Sequence, residues 1–161
     1  MKWFNNPKTL EELKKQYKQL ALEYHPDRGG AVKYMQEINA EYDLLFARLK
    51  DTHATVSGEQ YRKTTSEKAN EFKELINKLI NLNEINIEIC GSWLWLTCNT
   101  FKHKELLKHL RFRFSKSKKA WYYHSESYRK STQKTYTLDE IRDLYGSETV
   151  QQKPQFKLSI I

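Results

Sequence analysis

The stretch LALEYHPDRGG, residues 20–30, decides the fold because it ends one long helical pattern abruptly. Apolar residues recur every three or four positions from Leu10 to Tyr24, which predicts an amphipathic helix. Pro26 disfavours helical geometry at the residue before it, so the helix is predicted to end at His25. The stretch therefore predicts a helix that stops on polar and rigid residues, followed by two glycines.

A second helix is predicted to begin near Val32 and to carry one apolar face. That face consists of Met35, Ile38, Tyr42, Leu45 and Leu49. The first helix has its own start signal, because Thr9 and Glu12 have the spacing of a capping box. Two amphipathic helices joined by about eight residues are expected to form an antiparallel hairpin.

This hairpin resembles the J domain of DnaJ-type co-chaperones over residues 3–50. The resemblance rests on the basic helix LKKQYKQLALEY, on the tripeptide His25-Pro26-Asp27 directly after it, and on the helix YMQEINAEYDLL. It implies that the chain contacts a DnaK-type ATPase chaperone and stimulates its ATP hydrolysis. The resemblance assigns that contact to the tripeptide loop and to the basic face of the preceding helix.

The implied docking surface comprises seven residues of the hairpin: Lys14, Lys15, Lys18, His25, Pro26, Asp27 and Arg28. On a helical wheel the three lysines lie beside or opposite the apolar stripe, so they are expected to be available to an acidic surface. Such charges steer encounter and fix orientation, and salt weakens their effect.

The same residues also have simpler interpretations. Lysines on a helix often form nothing more than a solvated face. Asp27 could cap the second helix, which is compatible with docking. His25 and Asp27 could suggest a catalytic pair, but no nucleophile or oxyanion donor accompanies them, so no enzyme is predicted.

Two family features are missing from the sequence. The usual first helix, with its tyrosine-leucine-leucine-glycine signature, is absent, and Trp3 and Phe4 are interpreted as its remnant covering the hairpin. The short closing helix is not evident either. The J domain is therefore assigned to residues 1–50 with a truncated first helix, and its core is expected to be small.

The rest of the chain is predicted to be a linker, a module and a tail. Residues 51–64 are polar and contain Ser57-Gly58, which indicates a linker. Residues 65–146 are assigned to an α+β C-terminal module, and residues 147–161 to a flexible tail. Thr64 and Glu67 have capping-box spacing and predict the start of the module's first helix.

The module itself is predicted to be a ββαββ unit with flanking helices. INIEICGSWLWLTC alternates around a central Gly-Ser and indicates two strands joined by a tight turn. A helix capped by Thr100 follows, and RFRFSKSKKAWYYH supplies two more strands. The segment TLDEIRDLYG predicts a last helix capped at Thr137 and ended by Gly146. The block resembles an uncharacterised domain of bacterial and phage proteins.

Alternation along these strands predicts which side chains share a sheet face. The face away from the helix is predicted to hold Trp93, Trp95, Trp121, Tyr123, Arg111 and Arg113. A face of aromatic and arginine side chains can stack bases, and Lys116, Lys118 and Lys119 in the turn could contact phosphates. The alternative, given the greater weight, is that a flanking helix covers this face.

Charge is distributed unevenly between these parts of the 161-residue chain, whose net charge is +8. Residues 1–50 carry nine Lys/Arg against seven Asp/Glu, whereas residues 99–134 carry eleven against two. A nucleic acid or another acidic partner is therefore expected only at the module. The N-terminus lacks a signal-peptide core and no run is long enough to cross a bilayer, so a cytoplasmic location is expected. Two cysteines without a CxxC pair predict neither a disulfide framework nor a zinc site, and no metal or cofactor is expected.

Together these features predict a two-part co-chaperone that catalyses nothing itself. The J hairpin would recruit a DnaK-type ATPase and stimulate its hydrolysis, while the module would bring an unknown client. The alternative is a nucleic-acid-binding accessory protein whose J domain is secondary. An origin in a phage or another mobile element is suspected.

Overall fold

The structure is a computed structural model that describes residues 1–126 and 133–146. These residues form five α-helices and two antiparallel sheets, which confirms the predicted α+β class. The helices are α1 (Leu10–Tyr24), α2 (Val32–Leu49), α3 (Ala69–Leu79), α4 (Lys104–His109) and α5 (Leu138–Tyr145). The strands are β1 (Thr52–Ala54), β2 (Gln60–Arg62), β3 (Ile85–Cys90), β4 (Trp93–Cys98), β5 (Arg113–Ser115) and β6 (Ala120–Tyr123). The predicted tail, residues 147–161, lies outside the described residues.

Helices α1 and α2 form the predicted hairpin, and their apolar stripes face each other. The Thr9 hydroxyl accepts a hydrogen bond from the backbone N–H of Glu12, as a helix cap does. Between the helices, Tyr17 and Tyr42 are fully buried with ring centroids 4.6 Å apart. Burial raises the pKa of both phenols, so both remain protonated and apolar in character.

Residues 1–9 contain no helix but still cover one end of the hairpin. The Glu41 carboxylate of α2 accepts hydrogen bonds from the backbone N–H groups of Lys2, Trp3 and Phe4. Phe4 is only 4% exposed, and the Trp3 ring packs edge-on to Tyr24. These contacts hold the extended N-terminus against both helices.

The segment predicted to be a linker contains the β1–β2 hairpin, in which His53 pairs with Tyr61. The next helix, α3, begins at Ala69 rather than at the predicted cap Thr64. Glu67, which was predicted to complete the capping box, instead points into the protein and is buried. Its carboxylate is used in a contact with α1 that helix-capping rules do not anticipate.

Strands β3 to β6 form one antiparallel sheet with the order β3-β4-β6-β5, and α4 connects β4 to β5. This arrangement is the predicted ββαββ unit. One face, the inner face, carries Ile85, Ile87 and Ile89 of β3 and joins a single core cluster with α1, α2 and α3. The hairpin and the module therefore share one hydrophobic core.

The predicted sheet face was wrong for strand β6. Trp121 pairs with Leu96 and with Phe114, so its side chain lies on the inner face, where it is 7% exposed. Tyr123 lies on that face too, opposite Leu94. The outer face instead receives Tyr122, which pairs with Trp95. Because side chains alternate along a strand, an error of one residue in register moved both aromatics to the wrong face.

Helix α5 covers the outer face. Leu138 packs in a buried cluster with Cys90 and Trp95, and Trp95 is 5% exposed. Arg142 of α5 donates two hydrogen bonds to the fully buried carboxylate of Glu88, at 2.7 and 2.6 Å. This bidentate pair raises the pKa of the guanidinium and fixes α5 to β3.

Three further findings concern the described residues as a group. None of the described helices is long and apolar enough to span a membrane. Within residues 1–126 and 133–146, no cluster of three or more His, Cys, Asp or Glu side chains has an arrangement that could hold a metal ion. Cys90 is buried and Cys98 exposed, and both are free thiols.

Candidate functional site: the tripeptide loop and the basic face of helix α1

The His25-Pro26-Asp27 loop is held by backbone hydrogen bonds within six residues. His25 leaves helical geometry (ψ 136°), and Pro26 starts a single 3-10 turn that ends at Arg28. The carbonyl of His25 accepts from the N–H groups of both Arg28 and Gly30, at 2.9 and 3.0 Å. The loop therefore has one conformation that its own sequence determines.

The two glycines that follow serve different purposes. Gly29 adopts a left-handed conformation with φ 93°, which glycine reaches at little cost. Gly30 lies so close to the end of α1 that a Cβ atom there would overlap the backbone carbonyl of Tyr24. One glycine is required by the turn and the other by close approach of two backbone segments.

The His25 and Asp27 side chains differ in exposure. The Asp27 side chain is 57% exposed, whereas the His25 ring is 12% exposed. The backbone N–H of Asp27 donates to His25 Nδ1 at 3.2 Å, and the Asp27 carboxylate lies 3.6 Å from the same nitrogen. The partly buried His25 ring thus accepts a hydrogen bond from the backbone of Asp27, whose carboxylate is exposed at the tip of the loop.

Arg28 connects the loop to the C-terminal module. Its Nε donates to the carbonyl of Leu22 at 3.0 Å, and its Nη1 donates to the carbonyl of Ile80 at 3.2 Å. Next to it, Asn81 Nδ2 donates to the Asp27 carboxylate at 2.8 Å. The loop therefore contacts the two residues that directly follow α3 through Asp27 and Arg28.

Lys14 is not on a solvated face, in contrast to the prediction. It is 5% exposed, and its ammonium forms an ion pair with the buried carboxylate of Glu67 at 2.5 Å. Ser125 donates to the same carboxylate at 3.2 Å, and the Phe72 ring lies 5.0 Å from the lysine nitrogen. Both charges have lost most of their water and depend on each other.

Lys18 is also buried, with 1% exposure, and its ammonium donates to the carbonyl of Ile87 at 2.8 Å. Lys15 is half-buried and donates to the carbonyl of Gly146 at 3.3 Å. The prediction that the lysines point to solvent was wrong for Lys14 and Lys18, because a helical wheel shows the position of a residue on one helix and not what packs against it.

A polar cluster that sequence reasoning missed lies beside Lys14. His53 Nδ1 is 2.7 Å from a Glu11 carboxylate oxygen, and His53 Nε2 is 3.2 Å from the carbonyl of Lys63. Both partners of the ring are hydrogen-bond acceptors, the Glu11 carboxylate and the Lys63 carbonyl. On the far side Lys63 forms an ion pair with Glu126 at 2.7 Å. The cluster attaches the β1–β2 hairpin to α1 and to the module.

Comparison with known proteins agrees with this geometry. Residues 4–53 match the family model described as the DnaJ domain. The N-terminal unit is a J domain. The match ends inside β1, so it contains the α1–α2 hairpin and the tripeptide loop but not the C-terminal module that contacts them.

Relatives with related sequences share the same part of the chain. The chaperone protein DnaJ of Acetobacter pasteurianus is 42% identical over 57 residues, covering 33% of this chain and 14% of the relative. The translocation protein SEC63 homologs of mouse and human are 36% identical over 62 residues, covering 38% of this chain and 7% of theirs. The chain thus spans a small fraction of these relatives. No solved structure matches it significantly.

These matches give no support to the predicted resemblance of the module to a bacterial or phage domain. Its predicted binding residues are divided between two locations. Trp93, Trp95, Trp121 and Tyr123 are buried or half-buried in the sheet, whereas Arg111, Arg113, Lys116 and Lys119 are exposed and Lys118 is half-buried. The structure does not bring the tryptophans and the arginines together on one open face.

The exposed cations have other neighbours that the prediction did not include. Along α4 and the 3-10 turn before it, these are Lys102, Lys104, Lys108 and the 77% exposed Phe101. We call the exposed residues from Phe101 to Lys119 the α4–β5 surface. The cationic signal was visible in the sequence, but the register of β6 places Trp121 on the inner face, and Leu138 of α5 buries Trp95 on the outer face.

Proposed function

We propose that this chain is a cytoplasmic co-chaperone that docks on a DnaK-type ATPase and stimulates its ATP hydrolysis. The observation that carries the proposal is the tripeptide loop, which is intact in the J domain and places the Asp27 carboxylate in solvent at the tip. The chain supplies no catalytic group of its own in this proposal. Its module recruits the client.

The loop is suited to signalling because its shape is fixed before a partner arrives. Pro26 restricts the backbone, and the hydrogen bonds to the His25 carbonyl close the turn. A preorganised loop loses little conformational entropy on binding, so more of the contact energy is available to distinguish states of the ATPase. The backbone N–H of Asp27 donates to His25 Nδ1, which adds a side-chain contact to the closed turn.

The proposal is tested by single-turnover ATP hydrolysis by a bacterial DnaK-type chaperone in the presence of the full chain. The wild type is expected to raise the rate, and His25→Gln to return it to the basal value. His109→Gln is the matched control, since His109 is exposed on α4 far along the chain from the loop. An equal rate with His25→Gln and with the wild type would contradict the role of the loop.

A second candidate function is binding of single-stranded nucleic acid, which the α4–β5 surface favours. Its exposed cations are close in sequence to Phe101 and Phe114, which are 77% and 48% exposed. Cations on a groove or edge contact phosphates, and exposed aromatic rings stack on bases.

This candidate is tested by titrating a labelled single-stranded 20-mer at several salt concentrations. Arg113→Glu with Lys116→Glu is expected to weaken binding and to reduce the slope of log K against log salt by about 1.4 for the two lost cations. The control is Lys33→Glu with Lys50→Glu, the same charge change on the J domain. Equal affinity for all three proteins would exclude this surface.

A further inference from the structure

The basic residues of the predicted docking surface all contact the C-terminal module. Lys14 contacts Glu67, Lys18 contacts Ile87, and Lys15 contacts Gly146. The fourth cation, Arg28, donates to the carbonyl of Ile80. Four cations that a J domain would offer to a chaperone are thus engaged inside this chain.

The burial of Lys14 and Lys18 excludes a second partner at the same time. With 5% and 1% exposure, neither ammonium can reach an acidic surface unless the module moves. Each also donates to an acceptor of the module, Lys14 to the Glu67 carboxylate and Lys18 to the Ile87 carbonyl. Binding of a chaperone by these lysines and packing of the module on them are mutually exclusive.

The tripeptide loop is held by the same module. Asn81, just beyond α3, donates to the Asp27 carboxylate, which is the exposed group of the loop. Helix α3 also packs on the hairpin through Phe72, whose ring centroid is 6.0 Å from that of Tyr17 and 6.3 Å from that of Tyr42. The module therefore reaches across the loop and α1 together.

We propose that the C-terminal module autoinhibits the J domain by occupying its chaperone-docking face. This inference rests on the proposed function and adds its regulation. The covered form cannot use Lys14 and Lys18 for docking, and a chaperone binds productively when the module has moved away from α1. The apparent affinity is then reduced by the fraction of molecules in which the face is uncovered.

The first measurement is amine acylation of the wild-type chain, read out residue by residue by mass spectrometry. Lys14 and Lys18 are expected to react at least about tenfold more slowly than the exposed Lys33 and Lys50, because reaction requires local opening. Equal rates for the two pairs would overturn the inference whatever the chaperone does.

The second measurement uses a variant that weakens the contact without altering the J domain. Glu67→Gln removes the charge that pairs with Lys14, and Asn81→Asp places a like charge against Asp27. The control combines Glu74→Gln with Asn83→Asp, which makes the same two chemical changes at exposed positions. A thermal melt verifies that both double variants are folded.

In the weakened variant, Lys14 and Lys18 are expected to be acylated faster than in the wild type. The variant is also expected to stimulate ATP hydrolysis about threefold or more above the wild type at subsaturating concentration. Adding His25→Gln should abolish that gain. If Lys14 and Lys18 of the variant are acylated no faster than those of the wild type, these contacts do not keep the docking face covered, and the inference is overturned.

The remaining outcomes separate this inference from the proposed function. If the lysines become reactive but stimulation stays at the wild-type level, the co-chaperone function stands and autoinhibition is overturned. If neither the wild type nor the weakened variant stimulates any of several chaperones, the proposed function is overturned, and the inhibitory role with it.

Discussion

The C-terminal end of helix α1 and the basic face along its body are determined in different ways. At the C-terminal end, the tripeptide loop is closed by hydrogen bonds between residues that are at most five positions apart. Along the body of the helix, Lys14 pairs with a residue 53 positions away, and Lys18 with one 69 positions away. A local motif fixes the loop, whereas distant chain segments decide whether the lysines are exposed.

The difference shows that a loop and a surface on the same helix can be determined by different parts of the chain. The loop is closed by hydrogen bonds between its own residues. The surface depends on the rest of the chain, and here the module contacts it.

Substitution of Gly30 by alanine should have the largest effect on stability, because it disrupts the loop at the C-terminal end of α1. The new Cβ overlaps the Tyr24 carbonyl, so the loop must rearrange, and the free energy of unfolding should fall by about 4 kcal/mol. Gly29→Ala is the control, because it meets open space and costs about 1 kcal/mol for its left-handed backbone. Urea denaturation of both variants provides the measurement. Equal losses would show that the close approach at Gly30 does not exist.

Substitution of Lys14 by methionine tests the distant contact. It leaves the Glu67 carboxylate buried without its cation, so the free energy of unfolding should fall by about 3 kcal/mol. Lys15→Met, one residue along, should change it by less than about 0.5 kcal/mol. Chemical denaturation again provides the comparison. If the double variant Lys14→Met with Glu67→Leu is no more stable than Lys14→Met, the orphaned carboxylate is not the cause.

Substitution of Leu138 by alanine extends the comparison to the outer sheet face. It should cost about 2 kcal/mol in unfolding free energy, because Leu138 packs on the cluster around Cys90. Burial raises the pKa of the Cys90 thiol to about 11, so this thiol is almost fully protonated at pH 8. Because burial suppresses the thiolate, Leu138→Ala, which loosens α5, should accelerate the reaction of the Cys90 thiol with a thiol reagent.

The exposed Cys98 serves as an internal standard for that reaction, and Leu144→Ala, at an exposed position of the same helix, as the matched variant. Cys90 in the wild type should react more slowly than Cys98. A wild-type protein in which both thiols react equally fast would show that α5 does not cover this face.

The smallest effect is expected from the acid titration of Glu126. Its hydrogen bond from Lys63 holds the pKa of the carboxyl below its ordinary value. A carboxyl with a lowered pKa in the folded state stabilises above its unfolded pKa and loses that contribution as the pH falls through its folded pKa. Glu126→Gln should therefore be less stable than the wild type at pH 6 and converge with it toward pH 3.

The measurement is thermal unfolding of Glu126→Gln and of the wild type across that pH range. Glu74→Gln, at an exposed position of α3, is the control and should run parallel to the wild type. A stability difference for Glu126→Gln that is constant between pH 6 and pH 3 would contradict the assigned ion pair.

Much of the fold could be predicted because its signals are local. Helix periodicity gave α1 and α2, and Thr137 and Gly146 marked the ends of α5, as the structure has them. The β1–β2 hairpin was missed because its two strands have three residues each and β2 is exposed throughout. Without a buried alternating face, a strand carries no pattern to distinguish it from a linker.

Strand β6 shows why the site was harder to predict than the fold. Its sequence AWYY has three consecutive aromatic residues, so apolar and polar positions do not alternate and either register fits. The turn before it sets the register, with Lys119 at φ 51°. Lys14 and Lys18 were misplaced for a related reason. Long aliphatic stems allow a lysine to be buried when a partner from another segment meets its charged end.

The separation of Lys18 from Ile87 has a consequence during synthesis of the chain. Ile87 is joined to the chain 69 residues after Lys18, an interval of about 3–14 s at usual elongation rates. Residues 25–30, whose hydrogen bonds close the tripeptide loop, are also joined to the chain before Glu67 and Ile87. Until those two residues are added, the growing chain contains the complete loop sequence and the lysines of α1 but not the atoms that bind Lys14 and Lys18 in the finished molecule.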